Sequence, residues 1–160
     1  MKLVFSTKHV NRASFLDLCR YAYDYGYTGF EIYDALKERR QHADSVLRND
    51  RAADSNRKLL NRGLSVSALT IPQPVESEEV TSDMLVRYVE LARGAGIERV
   101  ILRIEEKVSN ETLEKKMAAA IAKAEKADIQ ILLETVGYLA ETENVTDIIN
   151  FFSSAVLGAA

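Results

Sequence analysis

At 160 residues, with 47% hydrophobic and 28% charged side chains, the chain has the size and composition of one globular domain that can bury a core, taken as a single domain over 1–160. Its net charge of −3 arises from interspersed acids and bases, so no field favours nucleic acid as a general partner. One cysteine, Cys19, excludes an internal disulfide and reads as a buried, inert thiol; with no signal-peptide core and no long apolar span, a cytoplasmic protein that engages no membrane is expected.

The first apolar run, Leu3–Ser6, lies in an expected strand Lys2–Thr7, which leads through His9 and Asn11 to Ser14. Ser14 and Asp17 have the spacing of a capping pair, in which the hydroxyl accepts from an orphan helix N–H and the acid reaches back. Phe15, Leu18, Cys19, Ala22 and Tyr25 then recur on one helical face, and Gly26 ends the helix. Gly29–Tyr33 is the second strand. The segment Asp34–Asn56 is long for a strand-to-helix connection and crowded with charge; Ala35–Arg40 and Ser45–Arg48 each fit a short helical turn, and a helix then runs to Arg62 and Gly63.

A third strand, Leu64–Ile71, stops at Pro72-Gln73-Pro74, which cannot continue a central ladder. Glu76–Thr81 reads as loop, Ser82 or Asp83 caps a helix over Met84–Arg93, and Gly94 and Gly96 break it. The fourth strand, Arg99–Ile104, exits into Glu105-Glu106-Lys107. Asn110 caps a strong helix, with Glu111 and Glu114 near its positive end and Lys123 and Lys126 near its negative end. The fifth strand, Ile129–Glu134, opens into Thr135-Val136-Gly137-Tyr138; a helix follows over Asn144–Phe152, and Ala155–Ala160 reads as the start of a sixth strand.

Strands alternating with helices call for a parallel α/β sheet. The strand starts fall about 30 residues apart, the spacing of eight units in roughly 250 residues of a (β/α)₈ barrel. A doubly wound open sheet is the alternative, but no glycine stands between Met1 and Gly26, so the first turn carries no Gly-rich phosphate loop. The expectation is an α/β, parallel TIM-barrel-type fold, incomplete at five to six strand–helix units.

In such a fold the strand ends and following loops converge on one face. They supply His9, Glu31, Tyr33, Asp34, Gln73, Arg103, Glu105, Glu134 and Tyr138. Glu134 closes the run Ile131–Leu133, where a carboxylate is costly unless it is paired, hydrogen-bonded, bound to a cation or turned to solvent at the strand mouth. Glu31 stands between Phe30 and Ile32, and an internal charge there calls for a partner that Arg103 could supply; a structural ion pair and a substrate contact both fit. Of these, His9, Glu31, Tyr33 and Arg103 are the candidate substrate-binding residues. Lys37, Arg39, Arg40, His42, Arg48 and Arg51 could receive an anionic group, or form a solvated insertion balanced by Glu38, Asp44, Asp50 and Asp54. His9 and His42 have no metal-ligand spacing, and nucleophile-elbow, Cys-pair and phosphate-loop motifs are absent.

Several stretches together resemble the xylose-isomerase-like TIM barrels: Met1–Thr7, Gly29–Asp34, Gly63–Ser67, Ala92–Ile97 leading into Val100–Arg103, and Leu132–Thr135. That superfamily includes sugar-phosphate isomerases and epimerases, ketose 3-epimerases, inosose dehydratases and endonuclease IV. The resemblance implies a divalent metal, Mn, Mg or Co, held by a Glu at the end of strand five and by Asp, His and Glu from later strands. Only the first position carries over, onto Glu134, as metal ligand and acid/base; the sixth-strand acid would fall just past Ala160, and Val136 stands where many relatives carry a His. The early-strand histidines of endonuclease IV find no match in Leu64–Pro74 or Val100–Glu106.

The resemblance therefore implies a portion of a divalent-metal-dependent sugar or sugar-phosphate isomerase/epimerase acting by proton transfer beside a carbonyl, not competent alone and binding metal weakly or not at all. A small sugar or sugar phosphate is the expected ligand. The competing readings are a non-catalytic ligand-binding domain of the same fold and an unrelated doubly wound binding domain. Unpaired sheet edges and an uncovered interior face further predict self-association.

Overall fold

The computed structural model describes residues 3–10, 14–37, 47 and 57–160. Its strands are β1 (Val4–Ser6), β2 (Gly29–Tyr33), β3 (Ser65–Thr70), β4 (Arg99–Leu102), β5 (Gln130–Leu133) and β6 (Leu157–Ala159). Among the described residues the longer helices are α1 (Phe15–Asp24), α2 (Ser82–Ala95), α3 (Asn110–Ala127) and α4 (Thr142–Phe152). The strands form one parallel sheet in the order β1-β2-β3-β4-β5-β6, with β1 and β6 at its two edges. The order never reverses, and this overturns the doubly wound alternative, whose strand order turns back at a switch point. The fold is an unclosed α/β sheet of TIM-barrel type.

Parallel partners share a face of the sheet, so the register sorts every strand residue. Phe5↔Phe30, Ile32↔Leu69↔Val100↔Ile131↔Leu157 and Leu102↔Leu133 lie on the helix side. From Phe30 to Leu157 each of these side chains is at most 6% exposed. Each contributes about 1.5–3 kcal/mol by leaving water. On the other side, Ser6↔Glu31↔Ala68, Tyr33↔Thr70↔Ile101 and Leu132↔Gly158 line the concave face. A bulge at Ser67 shifts β3 by one residue against β2, and the Ser67 hydroxyl donates to the Phe30 carbonyl at 3.3 Å. Beside it the strands come so close that a Cβ on Gly29 would lie 2.2 Å from the Ser65 carbonyl oxygen.

The capping pair forms as expected: the Asp17 N–H donates to Ser14 Oγ at 3.1 Å, while Asp17 Oδ2 accepts from the Ser14 N–H at 3.3 Å. Other helix starts fall one or two residues earlier than the sequence signals. Thr81 caps α2 and Ser109 caps α3, because in each case the earlier hydroxyl accepts the N–H three residues on, from Met84 and Thr112. Two core assignments in α1 change. Tyr25 is the C-cap and 74% exposed, and Cys19 is half-buried against the core rather than enclosed. Residues 35–37 are helical and Leu47 stands in a turn, buried; the remainder of the two turns expected over 35–40 and 45–48, with Arg39, Arg40, His42, Arg48 and Arg51, lies outside the described residues. Among the described residues no helix is long and apolar enough to cross a membrane.

Candidate functional site

Alternation carries the polar side chains of the concave face to the C-terminal ends of the strands. Glu31 is half-buried in β2, and its Oε1 accepts from the Ser6 hydroxyl at 3.1 Å. Arg103 does not pair with it, contrary to the sequence expectation. The register explains this: β3 separates β2 from β4, and Arg103, just past β4, meets nearer partners. Its Nη2 donates to the Pro72 carbonyl, and its Nε lies 3.3 Å from Glu105 Oε1. Tyr33 reaches the same carbonyl with its hydroxyl, at 3.2 Å, and its ring lies 5.3 Å from the Lys8 ammonium. One carbonyl thus gathers Tyr33 and Arg103 over the end of β3.

Glu134 follows β5 directly. Its N–H donates to the Leu102 carbonyl at 2.7 Å, which extends the ladder by one bond, and its half-buried carboxylate makes no hydrogen bond or ion pair with the described residues. His9 ends a 3-10 turn, Thr7–His9, immediately after β1; its side chain lies outside the described residues. Asp34 forms a turn at the end of β2. It adopts a left-handed conformation (φ 56°), and its Oδ1 accepts from the Lys37 N–H at 3.2 Å.

The loops at these strand ends are tied to one another. Glu76 Oε1 accepts from the N–H groups of Glu105 and Glu106, both at 2.9 Å. The Lys116 ammonium, from α3, donates to the carbonyls of Val75, Glu76 and Ser77 at 2.7, 3.3 and 2.7 Å. The Tyr138 N–H donates to Glu105 O at 3.0 Å, and Asn144 Nδ2 to Tyr138 O at 2.8 Å. Gly137 sits at φ +58°, so close to the loop after β4 that a Cβ would lie 2.8 Å from Glu105 Cα. The belt runs from α3 through three loops to α4. Sequence reading missed Glu76 and Lys116, because neither a loop acid nor a mid-helix lysine shows what it will reach. Thr70 was also missed, although its place two residues beyond Ala68 put it on the same face as Tyr33.

Among the described residues no three His, Cys, Asp or Glu side chains come together as a metal-ligand set. Glu134 alone is one carboxylate, and one carboxylate does not define a divalent-cation site. These residues by themselves do not fit the metal that the family resemblance implies.

No protein-family model and no curated protein matches the chain. Solved structures do. A xylose isomerase domain protein from Alicyclobacillus acidocaldarius subsp. acidocaldarius superposes with a TM-score of 0.71 at 14% identity, covering 99% of this chain and 62% of its own. The IOLI protein, in a crystal structure with a bound zinc atom, gives 0.69 at 20% identity, with 99% and 62% covered. An L-ribulose 3-epimerase gives 0.68 at 17% identity, with 99% and 60% covered. The chain thus spans about three fifths of the length of these structures. It has the fold of the xylose-isomerase-like domain proteins and sugar phosphate isomerase/epimerases.

Proposed function

We propose that the chain carries the sugar-recognising side of an isomerase or epimerase site, and that these six units bind a small sugar or sugar phosphate without turning it over. The observation behind this is the contrast within one sheet. Its helix face is apolar, whereas Glu31, Tyr33, Arg103 and Glu134 gather at the strand ends of the concave face, and the Glu134 carboxylate makes no hydrogen bond or ion pair with the described residues. Arg103 can donate to hydroxyls or to a carbonyl through the N–H groups that the Pro72 carbonyl does not take, while the Tyr33 oxygen, its proton given to Pro72, and the carboxylates of Glu31 and Glu134 can accept from hydroxyls. Moving a proton at the carbon beside a carbonyl needs a base within hydrogen-bond reach and polarisation of that carbonyl. Glu134 offers the first. What we propose is binding alone, for which Arg103 supplies the donor and Glu31 and Glu134 the acceptors.

The test is titration of the ¹⁵N-labelled chain with a panel of pentoses and pentose phosphates, followed by amide shifts. Perturbation centred on residues 31–33, 103–105 and 134–135, weakened in Glu134→Gln, is the expected outcome. Shifts scattered over the helices, or none at all, would overturn the reading. Tight stoichiometric Mn²⁺ binding that disappears in Glu134→Gln would overturn the view that the chain holds no metal of its own.

We also propose that this 160-residue chain self-associates at the β1 edge, where Leu3, Val4, Tyr21 and Tyr25 are 46%, 40%, 44% and 74% exposed. Sedimentation velocity at micromolar concentration is expected to show dimers or larger species. A single monomeric boundary would count decisively against it.

A further inference from the structure

The end of β3 and the loop beyond it hold an unusual concentration of unsatisfied polar atoms. Thr70 Oγ1, Gln73 Oε1, Glu76 Oε2 and, after β4, Arg103 Nε are all buried, and none makes a hydrogen bond with the described residues. Buried polar groups are nearly always paired, and one left alone forfeits its water for nothing. Thr70 is the sharpest case. It is only 5% exposed, shares the concave face with Tyr33 and Ile101, and carries a hydroxyl where valine would fit. The amide orientation of Gln73 is fixed because Nε2 donates to Glu79 Oε2 at 3.0 Å, which leaves the oxygen as the free end. Glu76 spends only one oxygen on the amides of Glu105 and Glu106. Arg103 Nε stands 3.3 Å from Glu105 Oε1 without hydrogen-bond geometry.

We infer that these four atoms form a subsite for a neutral hydroxyl-bearing group, the uncharged end of a sugar or polyol. This rests on the sugar-binding reading above and narrows it. The set offers two acceptors, Gln73 Oε1 and Glu76 Oε2, one donor, Arg103 Nε, and one hydroxyl that does either. Vicinal hydroxyls, each a donor and an acceptor, satisfy such a mixture. A phosphate does not: it brings mainly acceptors at neutral pH, whereas Gln73 Oε1 and Glu76 Oε2 can only accept, and the Glu105 carboxylate stands 3.3 Å from Arg103 Nε. The subsite therefore selects an unphosphorylated end, and any phosphate of the ligand lies elsewhere.

The variant Thr70→Val removes the hydroxyl and keeps the shape. It separates a binding role from a packing role, because a purely structural hydroxyl would lower stability when lost, whereas an orphaned one raises it. The probes are ribitol and ribitol 5-phosphate, titrated into the full 160-residue chain by ¹H–¹⁵N NMR with the Arg103 Nε–H resonance assigned. Ribitol is expected to shift Thr70, Gln73 and Arg103 Nε. Thr70→Val is expected to raise the thermal midpoint of the free chain and weaken ribitol by about five- to tenfold, the value of a lost hydrogen bond, while Thr70→Ser retains affinity. Gln73→Met, on the loop, is expected to weaken ribitol similarly without touching the sheet. Ribitol 5-phosphate is expected to bind no more tightly than ribitol.

Unchanged ribitol affinity in both Thr70→Val and Gln73→Met would overturn the subsite, as would tighter binding of the phosphate with its largest shift at Arg103. Ribitol shifts at Glu31 and Glu134 that spare Thr70 and Gln73 would overturn the subsite and leave the sugar reading standing. Silence of every strand end with both probes would bring down the reading and the subsite together.

Discussion

The two faces of the sheet are built from alternate residues of the same strands, yet they answer to different demands. Leu133 and Leu132 are neighbours in β5; the first is 0% exposed against the helices and the second is half-buried on the concave side. Ile32 and Glu31 in β2 divide in the same way. On the helix face every side chain is apolar and closely packed, so its residues are fixed by burial. On the concave face apolar spacers such as Ala68, Ile101 and Gly158 alternate around Glu31, Tyr33, Thr70, Arg103 and Glu134, and several polar atoms stay unpaired. The difference teaches where each kind of free energy resides: stability comes from one side of each strand, and the capacity to bind from the other.

Truncating both faces of one strand tests this most strongly. Leu133→Ala is expected to cost about 2–5 kcal/mol, the loss of a buried side chain plus the cavity left behind. Leu132→Ala, one residue away, should cost roughly half as much or less, since the site can admit water. Urea midpoints compare the two, and equal losses would break the distinction between the faces. The belt at the strand ends ranks next. Gly137→Ala must hold a left-handed conformation and push against Glu105, at about 1–3 kcal/mol. Lys116→Met should cost about 2 kcal/mol by leaving three carbonyls without their donor, and it should shift the amides of residues 75–77 and 105–106, which Gly137→Ala shares only at the second pair.

How much of this could be read from the chain alone depended on whether the signal was local. Strand–helix alternation, the Ser14–Asp17 cap and the apolar side of each strand are written in runs of neighbouring residues, and they appear as read. The resemblance to the xylose-isomerase-like barrels gave the right fold because it rested on the order and spacing of whole units. Site chemistry was legible only as a set of strand-end positions. The pairing of Glu31 with Ser6 instead of Arg103 depends on which strands are adjacent, and the sharing of the Pro72 carbonyl by Tyr33 and Arg103 depends on loop shape. Thr70 was hidden for a different reason: threonine is an ordinary strand residue, and only burial without a partner marks it.

Charge removal on the concave face should have little effect on stability. Glu134→Gln keeps the size and half-buried position of the side chain and breaks no hydrogen bond or ion pair among the described residues, so its stability is expected to stay within about 0.5 kcal/mol of the parent in urea. The same variant is expected to weaken sugar binding. A large loss of stability would show that Glu134 belongs to the structural side of the comparison after all.

The smallest effect is expected on the solvent-facing surface of α2 and α3, which belongs to neither face of the sheet. There Lys123 Nζ donates to Glu90 Oε1 at 2.7 Å, and this hydrogen bond, followed by the charge of Lys123 itself, holds the Glu90 carboxyl below its ordinary range. Arg87 and Arg93 add smaller pulls in the same direction. A folded-state pKa lower than the unfolded one means that the ionised carboxylate stabilises the fold at neutral pH, and that this contribution fades as the pH falls through the folded value. In Lys123→Met the Glu90 side-chain carbon resonance should titrate closer to the ordinary carboxylate range, and added salt should move the parent in the same direction. The thermal midpoint at pH 7 should hardly change, because an exposed pair in water gains little from its attraction. A midpoint loss matching that of Lys116→Met would mean that surface charge supports this sheet as strongly as its belted loops do, and the division of labour between the two faces would then need a third party.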